Sequence, residues 1–232
     1  MATMLLLMIG GAVFADSQVS SINRRPQEDF IAQSSPFEDQ DLEQFRQDFE
    51  TRFMQSGSME PTLEVGDKVL VDKHTYRSSP PQRGDIVIYS PPSSAQISAQ
   101  IEDSQIVFLH RIVGIPGETI EVRNGQTYVD DSPLDETYLA EPPAYQFGPM
   151  QLSENAYLIL GDNRNSSYDG HVWGELLQES IVGKVIGIYC PVERQTGLDS
   201  QPLRENNQAI FSEILSFFKE SPSLCSIGTE GL

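Results

Sequence analysis

Two serines stand two residues apart in Ser56-Gly57-Ser58-Met59-Glu60-Pro61-Thr62, with a glycine between them and a proline just beyond. Gly57 lets the backbone come close to a substrate carbonyl. Pro61 stiffens the exit of the turn and pushes Glu60 toward extended geometry. On such a turn Ser58 is a candidate nucleophile, and the Ser56 hydroxyl with nearby N–H groups is a candidate oxyanion site. Taken alone, the stretch reads first as an ordinary polar turn, because Ser and Gly are common loop residues.

Two further segments change that balance. One is Phe108-Leu109-His110-Arg111-Ile112-Val113-Gly114-Ile115-Pro116-Gly117-Glu118. The other is Gly161-Asp162-Asn163-Arg164-Asn165-Ser166-Ser167-Tyr168-Asp169-Gly170-His171-Val172-Trp173-Gly174. With Arg83-Gly84-Asp85-Ile86-Val87 between, the motifs run in the order SGSMEPT, RGDIV, HRIVGIPGE, GDNRNSSYDGHVWG. This order resembles the type I signal peptidases, peptidase S26, which are serine proteases that remove signal peptides from exported proteins. The match runs from about Met54 to about Tyr189, and its last motif is most similar to the cyanobacterial and chloroplast forms.

The resemblance implies Ser58 as nucleophile, but it departs at the base. Bacterial members carry lysine where this chain has His110; a His at this place is similar to the endoplasmic-reticulum type. A lysine starts near pKa 10.4 and must be lowered by about 3 units, whereas a histidine starts near 6.5 and is mostly neutral at pH 7. The requirement on His110 is geometric: an imidazole is shorter, and a gap of about 1 Å costs roughly a hundredfold in rate. The same resemblance makes Ser167 and Asp169 supporting residues. Ser167 is expected to bond one ring nitrogen of His110 and leave the other for Ser58. Asp169 either completes a Ser-His-Asp triad or pairs with Arg111 or Arg164. Gly170 replaces the Ser that commonly follows this Asp, and His171 reads as a structural partner. Asp162, Asn163 and Arg164 read as the residues that fix the loop.

The implied substrate is the signal peptide of an exported preprotein, extended beside Ser58. Met54, Leu63 and Leu109 are expected to line shallow apolar pockets that favour Ala-x-Ala, with backbone pairing supplying affinity. The other reading is a noncatalytic homologue, with His110 a buried core histidine, that binds exported chains or regulates an active paralogue.

Composition sets outer bounds. The 232 residues suit one domain of 150–180 residues with appendages, and 38% hydrophobic content suffices for a core but not for a polytopic membrane protein. A net charge of −19 argues against nucleic acid, whose phosphates need clustered Lys and Arg. No Cys/His spacing resembles a zinc site, and no cofactor is expected. Cys190 and Cys225 show no disulfide framework, although a bridge is possible in an exported domain. Residues 1–15 are apolar and shorter than the ~20 residues of a membrane helix; they read as a marginal membrane anchor or a cleaved signal. The resemblance favours a single-pass anchor at a membrane surface, with the catalytic domain on the periplasmic or thylakoid-lumen side.

The elements that position these residues follow from periodicity. Residues 16–53 divide into a polar linker and an amphipathic helix over Phe37–Phe53, on the spacing of Leu42, Phe45, Phe49 and Phe53. The resemblance implies that residues 54–195 form the catalytic domain, mainly β, a signal-peptidase-type fold of antiparallel sheets with short flanking helices. Strands are expected at 65–72, 86–89, 106–114, 157–160 and 181–189. A hairpin turns at Asn124-Gly125, and 130–148 is read as a Pro-rich exposed lobe. In Ile106–Gly114, His110 shares a face with Phe108 and Ile112, opposite Leu109 and Arg111. His74 is expected in an exposed turn. Residues 196–232 form a tail with a short helix carrying Ile210, Phe211, Ile214, Leu215 and Phe218.

Overall fold

Alternating β-branched and aliphatic residues, cut by Gly- and Pro-bearing turns, give a chain of short strands. A computed structural model describes residues 47–93, 107–198 and 205–226. Its strands are β1 (Phe49–Phe53), β2 (Lys68–Asp72), β3 (Ile86–Tyr89), β4 (Phe108–Gly114), β5 (Thr119–Arg123) and β6 (Gln126–Val129), then β7 (Ser132–Pro133), β8 (Phe147–Gln151), β9 (Ala156–Leu160), β10 (Leu176–Leu177), β11 (Ile181–Cys190) and β12 (Thr196–Gly197). The helices are α1 (Gly170–Trp173) and α2 (Glu205–Glu220). The larger sheet runs β1-β2-β11-β3-β4-β9-β10, with β12 on β11; the smaller runs β7-β6-β5-β8. Both sheets are antiparallel throughout, in keeping with the mainly β expectation.

Strand β4 separates two packed layers. On one face Leu109 joins Met54, Met59, Leu63, Val69, Val71, Ile86 and Ile88. On the other, Phe108 and Ile112 join Val87, Tyr89, Tyr157, Ile159 and Leu176. The alternation read from the sequence thus holds, and Val87 lies directly across from His110. At the β5–β6 hairpin Asn124 (φ 51°) and Gly125 (φ 76°) both adopt left-handed geometry, the conformation that Asn-Gly accommodates.

Two expectations need correction. Phe49–Phe53 is a strand, not the end of a helix; residues 37–46 lie outside the described residues. The same segment also alternates with period two, and pairing along β2 satisfies its backbone while Phe49 is buried beside Leu70, Ile186 and Tyr189. Second, the Pro-rich lobe is not merely exposed. It contributes β7 and β8, and it sends Glu136 inward, its side chain only 4% exposed. Cys190 and Cys225, whose pairing the sequence leaves open, are bonded to each other, with Cα atoms 5.5 Å apart.

The bridge fastens the C-terminal segment to β11. Helix α2 buries Phe211, Ile214 and Phe218 against Leu70, Ile186 and Tyr189, as its apolar stripe predicts. Gly187 makes this possible: a Cβ there would come within 2.1 Å of the Phe211 ring and 2.6 Å of the Thr196 carbonyl. Among the described residues no helix is long and apolar enough to cross a membrane. Residues 1–15 lie outside them.

Candidate active site

The Ser58 turn is built by burying its neighbours. Gly57–Met59 forms one turn of 3-10 helix; Met59 and Leu63 are fully buried in the Leu109 layer, and the Leu63 N–H donates to the Met59 carbonyl at 3.0 Å. Glu60 is extended ahead of Pro61, as expected. Ser58 itself is 9% exposed, while Ser56 is open to solvent and donates its hydroxyl to Ser58 Oγ at 3.2 Å.

The loop after β9 clamps this turn from the other side. The Asn163 N–H donates to the Ser58 carbonyl and its Nδ2 to the Gly57 carbonyl, each at 3.0 Å. Thr62 Oγ1 donates to Asp162 Oδ2 at 2.5 Å. Asp162 in turn accepts Arg111 Nε at 2.8 Å and Nη2 at 2.6 Å, a buried bidentate pair. Arg111 also donates to the Gly84 carbonyl and lies over the Tyr138 ring at 4.1 Å. Arg164 donates to the Gly161 carbonyl, to Thr127 Oγ1 and to the Glu136 carboxylate. Asp162, Asn163 and Arg164 therefore fix the loop, with Arg111 and Glu136 as their charged partners.

Gly161 is where the two halves meet. A Cβ at this position would lie 2.2 Å from Ser167 Oγ and 2.4 Å from the Ser58 carbonyl oxygen. Only a bare α-carbon lets the serine turn and the Ser167 segment approach this closely.

His110 is 4% exposed. Its Nε2 lies 3.2 Å from Ser167 Oγ, and its Nδ1 lies 2.8 Å from the Tyr89 hydroxyl. Burial pushes its pKa below the ordinary histidine value, with Asp169 and then Asp162 working against that shift. A buried imidazole so placed is neutral at pH 7, the form a general base needs. Burial, with Asp169 nearby, also holds the Tyr89 phenol well above its usual value, so it stays protonated.

Asp169 is fully buried and makes no hydrogen bond to His110. Oδ2 accepts the Gly161 N–H at 2.7 Å; Oδ1 accepts the His171 N–H at 3.0 Å and His171 Nδ1 at 2.8 Å. Burial works to raise its pKa, but hydrogen bonds from His171, Gly161 and Ser167 and the nearby His110 outweigh it, and the carboxyl titrates below its ordinary range. The His171 ring also stacks on Tyr145, centroids 4.2 Å apart.

The structure therefore brings together most of the residues singled out from sequence, with definite exceptions. Ser167 meets a ring nitrogen of His110, as expected, but the other nitrogen faces Tyr89 and not Ser58. No hydrogen bond joins Ser58 to His110, although the Ser58 turn packs against β4. Asp169 pairs with His171, not with His110, Arg111 or Arg164. Met54, Leu63 and Leu109 do share one layer, but Leu63 is fully buried and Met54 nearly so, which leaves Leu109 at its edge. His74 is partly buried and pairs with Asp48 at 3.1 Å. Sequence reasoning missed Tyr89. The available signal was its parity with Val87 on β3, which puts a hydroxyl at the end of an otherwise apolar face.

A serine on a tight turn, an exposed hydroxyl beside it and a buried neutral imidazole on the strand against which the turn packs are the parts of a serine hydrolase, carried on an antiparallel β framework. Residues 46–190 match the family described as signal peptidase, peptidase S26, and the chain belongs to that family. It is 40% identical over 153 residues to a signal peptidase I of Leptolyngbya laminosa, covering 66% of this chain and 74% of that one. Similarity to a probable signal peptidase I-2 of Synechocystis is 41% over 156 residues, 67% of this chain and 70% of the relative. A thylakoidal processing peptidase 1 of Arabidopsis thaliana, chloroplastic, is 39% identical over 143 residues, 61% of this chain and 42% of that one. The type is thus the cyanobacterial and chloroplast one.

Proposed function

We propose that the chain is a serine endopeptidase that removes signal peptides from exported precursor proteins, with Ser58 as nucleophile and His110 as general base in place of the family's usual lysine. The observation that carries this reading is the junction at Gly161, where the Ser58 carbonyl and the Ser167 hydroxyl close on one α-carbon and Ser167 in turn touches His110. Ser58 Oγ attacks the scissile carbonyl carbon as its proton passes to His110 Nε2. The Ser56 hydroxyl and turn N–H groups receive the oxyanion. The imidazolium then protonates the leaving amine, and water, deprotonated by the same base, hydrolyses the acyl-enzyme. Catalytic hydrogen bonds commonly tighten only in the substrate complex, and the Ser58–His110 contact is expected to form there.

Ser167 and Asp169 support the base, Ser167 at Nε2 and Asp169 through its hold on Gly161 and His171. The substrate lies extended beside Ser58, with Met54, Leu63 and Leu109 behind a shallow wall whose accessible rim is Leu109, suited to small side chains and an Ala-x-Ala preference. In this reading residues 1–15 anchor the chain by a single pass, and the catalytic domain works at a membrane surface on the periplasmic or thylakoid-lumen side. Cleavage of an Ala-x-Ala signal-peptide substrate by the native chain, lost in Ser58→Ala, is the expected result. Cleavage undiminished in Ser58→Ala would refute the nucleophile. Binding without turnover by the native chain would instead mark a noncatalytic homologue.

A further inference from the structure

The hydrogen-bond partners of His110 determine where its proton sits. A carboxylate only accepts. A hydroxyl can do either, and the Ser167 hydroxyl lies 3.2 Å from His110 Nε2. The direction is set from the other side of the ring, where the Tyr89 phenol faces Nδ1. Nδ1 takes the Tyr89 hydroxyl hydrogen at 2.8 Å. Tyr89 is fully buried, and among the described residues its hydroxyl makes no other hydrogen bond. Donation from the phenol to Nδ1 leaves the ring proton on Nε2, whose N–H then donates to Ser167 Oγ; the reverse direction would bury the phenol hydrogen without a partner.

We propose that Tyr89 is the positioning residue of His110, and that in the free protein it holds the ring as the Nε2–H tautomer, with no lone pair presented to Ser58. This deepens, and rests on, the reading of His110 as the base. The ring is faced by the Tyr89 phenol from β3, by Ser167 and Asp169 from the segment after β9, and through space by Asp162. Asp162 is neutralised by Arg111, and Asp169 is paired with His171. None of these carboxylates bonds Nδ1, so nothing locks the proton there as the aspartate of a triad does. Arming the base requires the proton to move from Nε2 to Nδ1 by exchange with water, one proton lost and one gained. The phenol oxygen then turns from donor to acceptor and receives Nδ1–H. A tyrosine serves both tautomers because its oxygen does either job; a carboxylate only accepts, and a phenylalanine does neither.

The test is 15N NMR of the labelled native chain near neutral pH, with His110→Gln used to identify the His110 signals, paired with kinetics of Tyr89→Phe on an Ala-x-Ala substrate. The proposal expects a protonated Nε2 and an unprotonated, hydrogen-bonded Nδ1. It also expects kcat to fall roughly ten- to a hundredfold in Tyr89→Phe, with KM little changed, because the armed ring then buries an unpartnered N–H. A proton on Nδ1 in the free protein, or a Tyr89→Phe enzyme with native kcat, overturns it. Full activity in His110→Gln would remove the base reading and with it the kinetic half of the proposal, while the NMR result still decides the tautomer.

Discussion

At the scale of single residues, the proposed mechanism makes protonation of His110 set the pH response. A base works only when neutral, and burial lowers the His110 pKa beneath the ordinary value of about 6.5. Activity is therefore expected to be at its plateau by pH 7 and to fall only at pH values clearly below 6.5, which a kcat/KM profile from pH 5 to 10 checks; a limb centred near or above pH 8 would contradict it. Stability follows the same sign. A histidine with a depressed folded pKa is protonated in the unfolded chain first, so its contribution is intact above about 6.5 and is lost as pH falls through the folded value. Asp169, also depressed, extends that loss to lower pH, starting near the ordinary carboxylate range. The contacts of Ser56 with Ser58 and of Ser167 with His110 could be anticipated from the sequence because each residue sits in an ordered motif. Tyr89 could not be, since its contact with His110 depends on the register that sets Val87 opposite His110. The orientation of Asp169 was equally hidden: its choice of His171 follows from the short helix α1, where it accepts the His171 N–H at the N-cap.

At the scale of elements, the site depends on how closely the loop after β9 approaches the serine turn. Gly161→Ala is predicted to drive that loop off Ser58 and Ser167, cutting kcat about a hundredfold or more and destabilising the fold by about 1–3 kcal/mol. Peptidase kinetics and urea unfolding followed at Trp173 measure both; native rates would show that the contact is not needed. Arg111→Ala leaves Asp162 buried without its partner and is expected to cost about 3–5 kcal/mol by the same unfolding measurement. The strands were legible wherever alternation was clean, as in β3, β4 and the Asn124-Gly125 hairpin. Phe49–Phe53 misled because its aromatic spacing fits a helix and a strand alike, and the open flank of β2 decided between them. The inward turn of Glu136 was invisible for a similar reason: its partner Arg164 lies 28 residues away.

At the scale of the whole molecule, the C-terminal segment is held by two independent devices, the apolar stripe of α2 and the Cys190–Cys225 bridge. The bridge closes a separation of 35 residues, and Cys190→Ser/Cys225→Ser is predicted to lower stability by about 2–4 kcal/mol, read as a shift in the urea midpoint that reductant reproduces in the native chain. An unchanged midpoint would mean that α2 packing alone fastens the tail. The stripe was legible from its period; the bridge was not, because two cysteines without a framework say nothing of their separation in space. The central claim, a peptidase working through Ser58 and His110, is tested most directly by cleavage of an Ala-x-Ala signal-peptide substrate by the native chain, Ser58→Ala and His110→Gln. The account predicts turnover by the native chain and a loss of roughly four orders of magnitude or more in each variant. Substrate bound but never cut by the native chain, or cut equally well without Ser58, would contradict it.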